Sequence, residues 1–214
     1  MTHHRRRNNG IDPSKINETV ELSPAQRYAA FKQTQAKQRT VAAEFARSMP
    51  FELDEFQMQA NDALEAGDNV LVAAPTGAGK TVAADFAIYL AQTRNVKAFY
   101  TTPIKALSNQ KYHDLVDQYG TDKVGLLTGD TSINSEADIV VMTTEVLRNM
   151  LYEHSVTLEA LRYVILDEVH YLADRFRGPV WEEVIIHLPK NVNIIGLSAT
   201  VSNVEDFSEW IESV

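Results

Sequence analysis

Residues 69–81 read Asn-Val-Leu-Val-Ala-Ala-Pro-Thr-Gly-Ala-Gly-Lys-Thr, an apolar β-branched run that breaks into a glycine-punctuated turn and then enters a helical pattern. A strand that hands over to a helix through such a turn is the first half of a β-α-β unit. It commits the chain to a parallel sheet with helical crossovers. The same order then repeats. β-branched runs recur at 96–101, 124–127, 138–142, 163–166 and 192–197, and helical spacing fills 55–66, 80–93, 104–118, 144–152, 178–187 and 203–213. Unbroken apolar triplets such as Val164-Ile165-Leu166 suit strands buried on both faces. The expected fold is α/β, a mostly parallel sheet with helices on both faces, and ligands are expected at the carboxyl ends of the strands.

Upstream of this pattern, residues 1–22 are polar and aperiodic and read as a disordered basic head. Ser23-Pro24 marks a helix start, and Tyr28, Phe31, Gln35, Arg39, Ala42, Phe45 and Ala46 fall at helical spacing. One amphipathic helix is expected over 24–47, stopped by Met49-Pro50, so that 23–50 is an N-terminal helix and 51–214 the α/β domain. Charge is unevenly spread. Residues 1–50 carry 9 Lys and Arg against 4 Asp and Glu, whereas 51–214 carry 11 against 25. An acidic body excludes whole-surface adhesion to nucleic acid and leaves room only for a local track. The 214 residues contain no Cys, which excludes disulfides and thiolate metal sites and suits the reducing cytoplasm, the expected compartment. The longest mostly apolar stretch, 82–91, is interrupted by Asp85 and falls far short of the roughly 18 residues that span a bilayer, so no membrane partner is expected.

The turn at 74–81 has the composition of a phosphate cradle. Gly77 and Gly79 allow the backbone of Pro75, Thr76 and Ala78 to wrap, with the N–H groups of Thr76 and Ala78 inward. Lys80 can reach β- and γ-phosphates, Thr81 can offer a hydroxyl to Mg²⁺, and the helix start adds its positive dipole end. Ala74 stands where the general pattern has its first glycine. A second site follows the strand at 163–166, which ends in Asp167-Glu168-Val169-His170. Asp167 is placed to hold the magnesium of a phosphate-loop enzyme, and Glu168 to position or deprotonate an attacking water. His170 fits either a polar link from the γ-phosphate region or a satisfied core histidine.

With Ser198-Ala199-Thr200 after the strand at 192–197, these motifs resemble, in order and placement, the superfamily-two helicases. Thr101-Thr102-Pro103-Ile104-Lys105-Ala106-Leu107-Ser108-Asn109-Gln110 is similar to the first strand-binding motif of that superfamily. Thr128-Gly129-Asp130 and Thr143-Thr144-Glu145-Val146-Leu147-Arg148 are similar to the next two. Phe51, Leu53, Asp54, Phe56 and Gln57 match its adenine-reading motif. The stretch Asp167 to Glu183, with Tyr171, Arg177, Gly178 and Trp181-Glu182-Glu183, is similar to the superkiller-like, exosome-associated DExH RNA helicases, and most to their bacterial HelY type.

The resemblance implies the first RecA-like P-loop domain of an ATP-dependent RNA helicase, with ATP and Mg²⁺ as cofactors. Gln57 would read the paired donor and acceptor of adenine, and Phe51 would stack on the base or belong to the core. Pro103, Lys105, Thr128, Gly129, Thr143 and Thr144 would grip a single-strand backbone with little base preference, helix capping being the rival role for each threonine. Ser108, Asn109 and Gln110 would be strand-binding or simply solvated. Arg175 and Arg177 would touch nucleic acid or pair with Glu182 or Glu183. Ser198 and Thr200 would bond back toward Asp167 or His170 and couple nucleotide state to strand grip, or would merely form a turn. The partners implied are single-stranded RNA, with DNA as the alternative, a second RecA-like domain of the same full-length chain carrying arginine fingers, and an RNA-processing complex. No second phosphate-site constellation follows Thr200, so the chain is expected to be a piece of a larger motor that unwinds nothing alone. A non-catalytic, nucleotide-gated binding module is the alternative from another class.

Overall fold

In the computed structural model the described residues are 39–170 and 178–199. The chain divides between Thr40 and Val41, and the following concerns the part from Val41 onward. Its elements run α1 (Val41–Ser48), α2 (Glu55–Ala66), β1 (Val70–Ala73), α3 (Thr81–Arg94), β2 (Lys97–Thr102), α4 (Lys105–Tyr119), β3 (Val124–Thr128) and β4 (Thr131–Ile133). They continue with β5 (Ile139–Thr143), α5 (Thr144–Tyr152), a 3₁₀ turn (Val156–Leu158), β6 (Leu161–Leu166), α6 (Gly178–His187) and β7 (Asn193–Ser198). The seven strands form one sheet in the order β1-β7-β6-β2-β5-β3-β4. Every pairing is parallel except β3 with β4. The strands expected between 69 and 197 and the helices expected between 55 and 187 are present.

Alternation along the strands builds two apolar layers. Tyr100 of β2, Tyr163 and Ile165 of β6 and Ile195 of β7 face one layer, with Phe45, Leu64, Phe86, Leu90 and Leu115 from α1 to α4. Phe99, Val164, Leu166 and Ile194 face the other, with Leu147 and Leu151 of α5 and Trp181 and Val184 of α6. Full burial of side chains of this kind contributes about 1.5–3 kcal/mol each. Helix α3 is apolar almost all round and lies deep in the first layer. Its Asp85 is the exception: burial pushes the carboxyl pKa up, and the ammonium of Lys111 partly offsets the push.

Two departures from the sequence expectations have clear causes. The expected continuous helix over 24–47 is interrupted, because Arg39 and Thr40 form a turn and bend and α1 begins at Val41. The carboxylate of Glu65, from α2, accepts the N–H groups of Val41 (2.9 Å) and Ala42 (2.7 Å). A helix's first N–H groups lack intrahelical partners, so a carboxylate there fixes the start and complements the dipole. The acceptor of that cap is 24 residues from Val41, out of reach of local pattern. The second departure is β4, an extra edge strand formed when the chain turns back at Gly129-Asp130 to pair Thr128 with Thr131. Residues 1–38, 171–177 and 200–214 lie outside the described residues, and with them the basic head, the first part of the N-terminal helix, Tyr171, Arg175, Arg177, Thr200 and the helix expected at 203–213. Among the described residues no helix is long and apolar enough to cross a membrane.

Replacing Glu65 with Ala should lower stability by about 1–2 kcal/mol, the range of a lost helix cap. Amide hydrogen exchange should show the loss of protection concentrated at Val41–Ser48; uniform protection there would show that the carboxylate does not hold the helix start.

Candidate functional site

Parallel pairing sends the carboxyl ends of β1, β7, β6, β2, β5 and β3 to one edge of the sheet, and every candidate motif that follows a strand emerges there, whereas Phe51 to Gln57 lie ahead of β1, at the start of α2. The loop 74–81 follows β1, Ser198 ends β7, and Asp167 follows β6. Ala73 is in register with Ser198, and Leu166 with Gly196. The β1 and β6 axes are two strand spacings apart, about 10 Å, so the loop and the acidic pair flank β7 on the same rim.

The loop's geometry comes from two glycines in the left-handed region, Gly77 (φ +86°) and Gly79 (φ +78°). Gly79 has a second constraint, since a Cβ there would come within 2.5 Å of the Gln57 Nε2. The Lys80 ammonium donates to the carbonyls of Ala74 (2.8 Å) and Pro75 (3.0 Å), which seats it in the concavity of the loop. Pro75, Thr76, Gly77 and Thr81 are exposed, and Ala78, Gly79 and Lys80 are half-buried. The Ala74 N–H donates to the Ser198 carbonyl (3.2 Å), so loop and β7 are joined through backbone.

Gln57 is buried against this loop. Its Nε2 donates to the Gly79 carbonyl (3.0 Å) and its Oε1 accepts the Asp54 N–H (2.9 Å), half of a helix capping box. The side chain therefore ties the start of α2 to the phosphate loop, with one amide hydrogen and one lone pair left for a base. Phe51 is exposed and does not belong to the core, while Phe56 packs against the first apolar layer.

At the acidic pair, both Asp167 oxygens are engaged. Oδ2 accepts from the Tyr100 hydroxyl (2.7 Å) and Oδ1 from the Glu168 N–H (2.9 Å). Burial pushes the Tyr100 phenol well above its ordinary range, and the nearby Asp167 carboxylate adds to the push, so the phenol remains a donor. Glu168 has φ +57°, a left-handed conformation uncommon for Glu and the kind of backbone strain found at functional sites. Its Oε2 lies 3.1 Å from the His170 Nδ1. Among the described residues no group of three or more His, Asp or Glu could hold a metal by itself. A lone carboxylate such as Asp167 fits Mg²⁺ that arrives with phosphates to complete its shell.

Further along the rim stand the motifs after β2, β5 and β3. The exposed Lys105 ammonium pairs with the Asp130 carboxylate (2.6 Å). The Lys105 and Thr128 hydrogen bonds hold the Asp130 carboxyl below the usual carboxylate range. Gly129 is exposed, and Pro103, Thr128, Thr143 and Thr144 are buried. The Thr144 hydroxyl donates to the Thr102 carbonyl (3.3 Å) and braces α5 against β2, while Thr143 holds the N-cap position of α5 without a side-chain cap hydrogen bond. Ser108 is fully buried and bonded to the Thr102 hydroxyl (2.7 Å), which corrects the solvated alternative for that residue. The Ser198 hydroxyl donates to the Ala199 carbonyl (2.8 Å) and does not reach Asp167 or His170; its tie to the nucleotide side is its own carbonyl on the Ala74 N–H. Arg148 comes within 3.7 Å of Glu183, one of the two acidic partners expected for Arg175 or Arg177.

Sequence reasoning missed Tyr100 as a member of the site, and it placed Asp130 in a motif without its ion pair to Lys105. Tyr100 looked like one more strand residue, since nothing local shows which face of β2 meets Asp167. The Asp54-x-x-Gln57 spacing was a readable capping signal.

The DEAD/DEAH box helicase family matches residues 54–207. "Probable helicase HelY" of Mycobacterium tuberculosis is 62% identical over 170 residues, covering 79% of this chain and 19% of that protein. The Arabidopsis thaliana "DExH-box ATP-dependent RNA helicase DExH11" is 52% identical over 168 residues, 78% of this chain and 12% of that protein. Among solved structures, the Mycobacterium smegmatis helicase Lhr bound to ssDNA and AMP-PNP aligns with a TM-score of 0.56 at 32% identity, covering 70% of this chain and 23% of that one. The chain thus spans about a fifth or less of the length of these curated relatives.

The two loop glycines should respond differently to substitution. Gly77→Ala meets nothing within 4 Å and should cost only the positive-φ term, about 1 kcal/mol. Gly79→Ala must also displace Gln57, and urea unfolding should show a further loss of about 1–2 kcal/mol for the broken buried hydrogen bond.

Proposed function

The chain belongs to the DEAD/DEAH box helicase family, and on that premise we propose that it is the ATP-binding motor domain of an ATP-dependent RNA helicase that moves along single-stranded nucleic acid. The observation that carries this reading is the division of the carboxyl edge. The phosphate loop, the Ser198 motif and the acidic pair sit on neighbouring strands β1, β7 and β6. The candidate strand-gripping motifs sit on neighbouring strands β2, β5 and β3. A motor needs both sites on one rigid support, close enough for one to bias the other.

In this reading the loop N–H groups of residues 76–79 and the Lys80 ammonium hold the triphosphate, with Pro75 shaping the turn. Gln57, with one donor and one acceptor to spare, selects adenine, and Phe51 lies exposed where it can meet the base. Thr81 and Asp167 would hold Mg²⁺, which supplies charge neutralisation on the β- and γ-phosphates. Glu168 orients the attacking water and accepts its proton, and His170 steadies the Glu168 carboxylate. Lys105 and Gly129, both exposed, are the points on the β2 and β3 side that can reach a phosphate backbone. RNA is favoured over DNA by the 52% identity to a relative named as an RNA helicase, against 32% to the ssDNA-bound structure. The Cys-free composition suits work in the cytoplasm. Full turnover and strand separation belong to the longer protein, in which a second RecA-like domain would supply arginine fingers to this site.

Lys80→Ala should weaken Mg·ATP binding by this chain at least about tenfold in a fluorescent-nucleotide titration, since it removes the loop's charge-assisted contact. Glu168→Gln in the longer protein should leave ATP binding intact and cut hydrolysis by about 100-fold or more; unchanged hydrolysis would favour a nucleotide-gated binding module. Matched RNA and DNA strands, compared as stimulators of that hydrolysis, decide the polymer.

Asp130 competes with nucleic-acid phosphate for Lys105. Asp130→Asn should therefore raise affinity for single-stranded RNA about two- to fivefold, the scale of an exposed ion pair, with the gain shrinking at high salt.

A further inference from the structure

The two halves of the carboxyl edge meet between β6 and β2, and the side chain that bridges them is Tyr100. It stands on β2, in the strand-gripping half, with 1% of its surface exposed. Its hydroxyl donates to Asp167 Oδ2 across the strand boundary, and the Asp167 N–H donates to the Thr101 carbonyl (3.0 Å) beside it. The ring has a neighbour of its own. The Lys111 ammonium sits 5.0 Å from the ring centroid, within cation–π range. Lys111 is on α4, the helix that opens with Lys105. A half-buried cation over the ring draws electron density from the phenol and makes its O–H a stronger donor.

We propose that Tyr100 is a positioning residue for the metal-side carboxylate: its hydroxyl fixes the Asp167 rotamer, and Lys111 of α4 supports it, so that the helix beginning at Lys105 is mechanically joined to the magnesium site. The proposal rests on Asp167 facing Mg²⁺ as read above. The reasoning is geometric. A carboxylate that holds a metal through water must present its remaining lone pairs at a set angle, and an Asp side chain has two torsions to fix. The Glu168 N–H secures Oδ1 locally, but a single contact leaves the plane of the carboxylate free to swing about it. The Tyr100 hydroxyl secures Oδ2 from the other side, from a ring with no room to move. Partners of this kind, one step removed from a metal, typically change metal affinity about 10–100-fold when lost. Lys111 makes the lock sensitive to α4. A shift of that helix that carries the ammonium off the ring weakens the phenol as a donor without breaking any contact to nucleotide.

The test uses this chain, the non-hydrolysable analogue AMP-PNP and calorimetry with Mg²⁺ or with EDTA. The readout is the metal-dependent gain in nucleotide affinity, which a general loss of packing would not single out. Tyr100→Phe keeps the ring and removes only the hydroxyl. It should leave affinity in EDTA within twofold of the parent and cut the Mg²⁺-dependent gain about tenfold. Lys111→Met, which keeps the half-buried stem and removes the ammonium from both the Tyr100 ring and Asp85, should cut the gain two- to threefold in the parent and by nothing further in the Tyr100→Phe background, as expected of residues acting in one chain. If Tyr100→Phe retains the full gain, Tyr100 does not position Asp167. If Lys111→Met subtracts equally in both backgrounds, Lys111 does not act through Tyr100. If the parent chain itself shows no Mg²⁺-dependent gain, the reading of Asp167 as a metal-side carboxylate falls, and this proposal with it.

Discussion

Parallel pairing of β1, β7 and β6 is the constraint on which the rest of the molecule depends. It brings together a phosphate loop and a carboxylate pair separated by nearly ninety residues of chain. Neither has a reason to be where it is without the strand between them. Parallel strands require crossovers, and the crossovers require helices whose apolar faces fit the sheet. The burial of Phe86, Leu90, Tyr163 and Ile165 on one face and of Trp181, Val164 and Leu166 on the other is therefore a precondition of the site.

Within that frame, polar groups at the edge do double duty. Gln57 caps the start of α2 and braces Gly79. Thr144 opens α5 and ties it to β2 through the Thr102 carbonyl. The Ser198 carbonyl joins β7 to the phosphate loop. A hydrogen bond that holds a loop in place near a ligand is also a lever, because a ligand that competes for it moves the element behind it. Some of the positive-φ residues also lie in this region. Gly77, Gly79 and Glu168 all have positive φ, and Glu168 is the one that pays a steric cost for it.

The electrostatics of the edge follow burial. Asp85 and Tyr100 lie in the apolar layer behind the site and hold their protons more tightly than exposed groups would. Asp130, fully in solvent, goes the other way because Lys105 and Thr128 hold its ionised form. The acidic surplus of the body leaves few cations on this edge, and on the β2 and β3 side Lys105 is shared with the Asp130 carboxylate.

Much of this was legible in the chain itself. The β-α order, the phosphate loop, the acidic pair and the strand-end position of every motif follow from local periodicity and turn chemistry, which act over a handful of residues and need no fold to be read. What local pattern could not reach were contacts between distant segments. The start of α1 is set by Glu65, the partner of Lys105 is Asp130, and the extra strand β4 exists because β3 is a sheet edge with free backbone groups to pair. Tyr100 is the sharpest instance. In sequence it is an aromatic residue in an apolar strand, and only the side-by-side placement of β2 and β6 turns its hydroxyl into a ligand for Asp167. Sequence determined which chemistries the chain carries, because those are properties of short segments. The tertiary structure decided which of them touch, because contact depends on strand order and burial that no short segment contains.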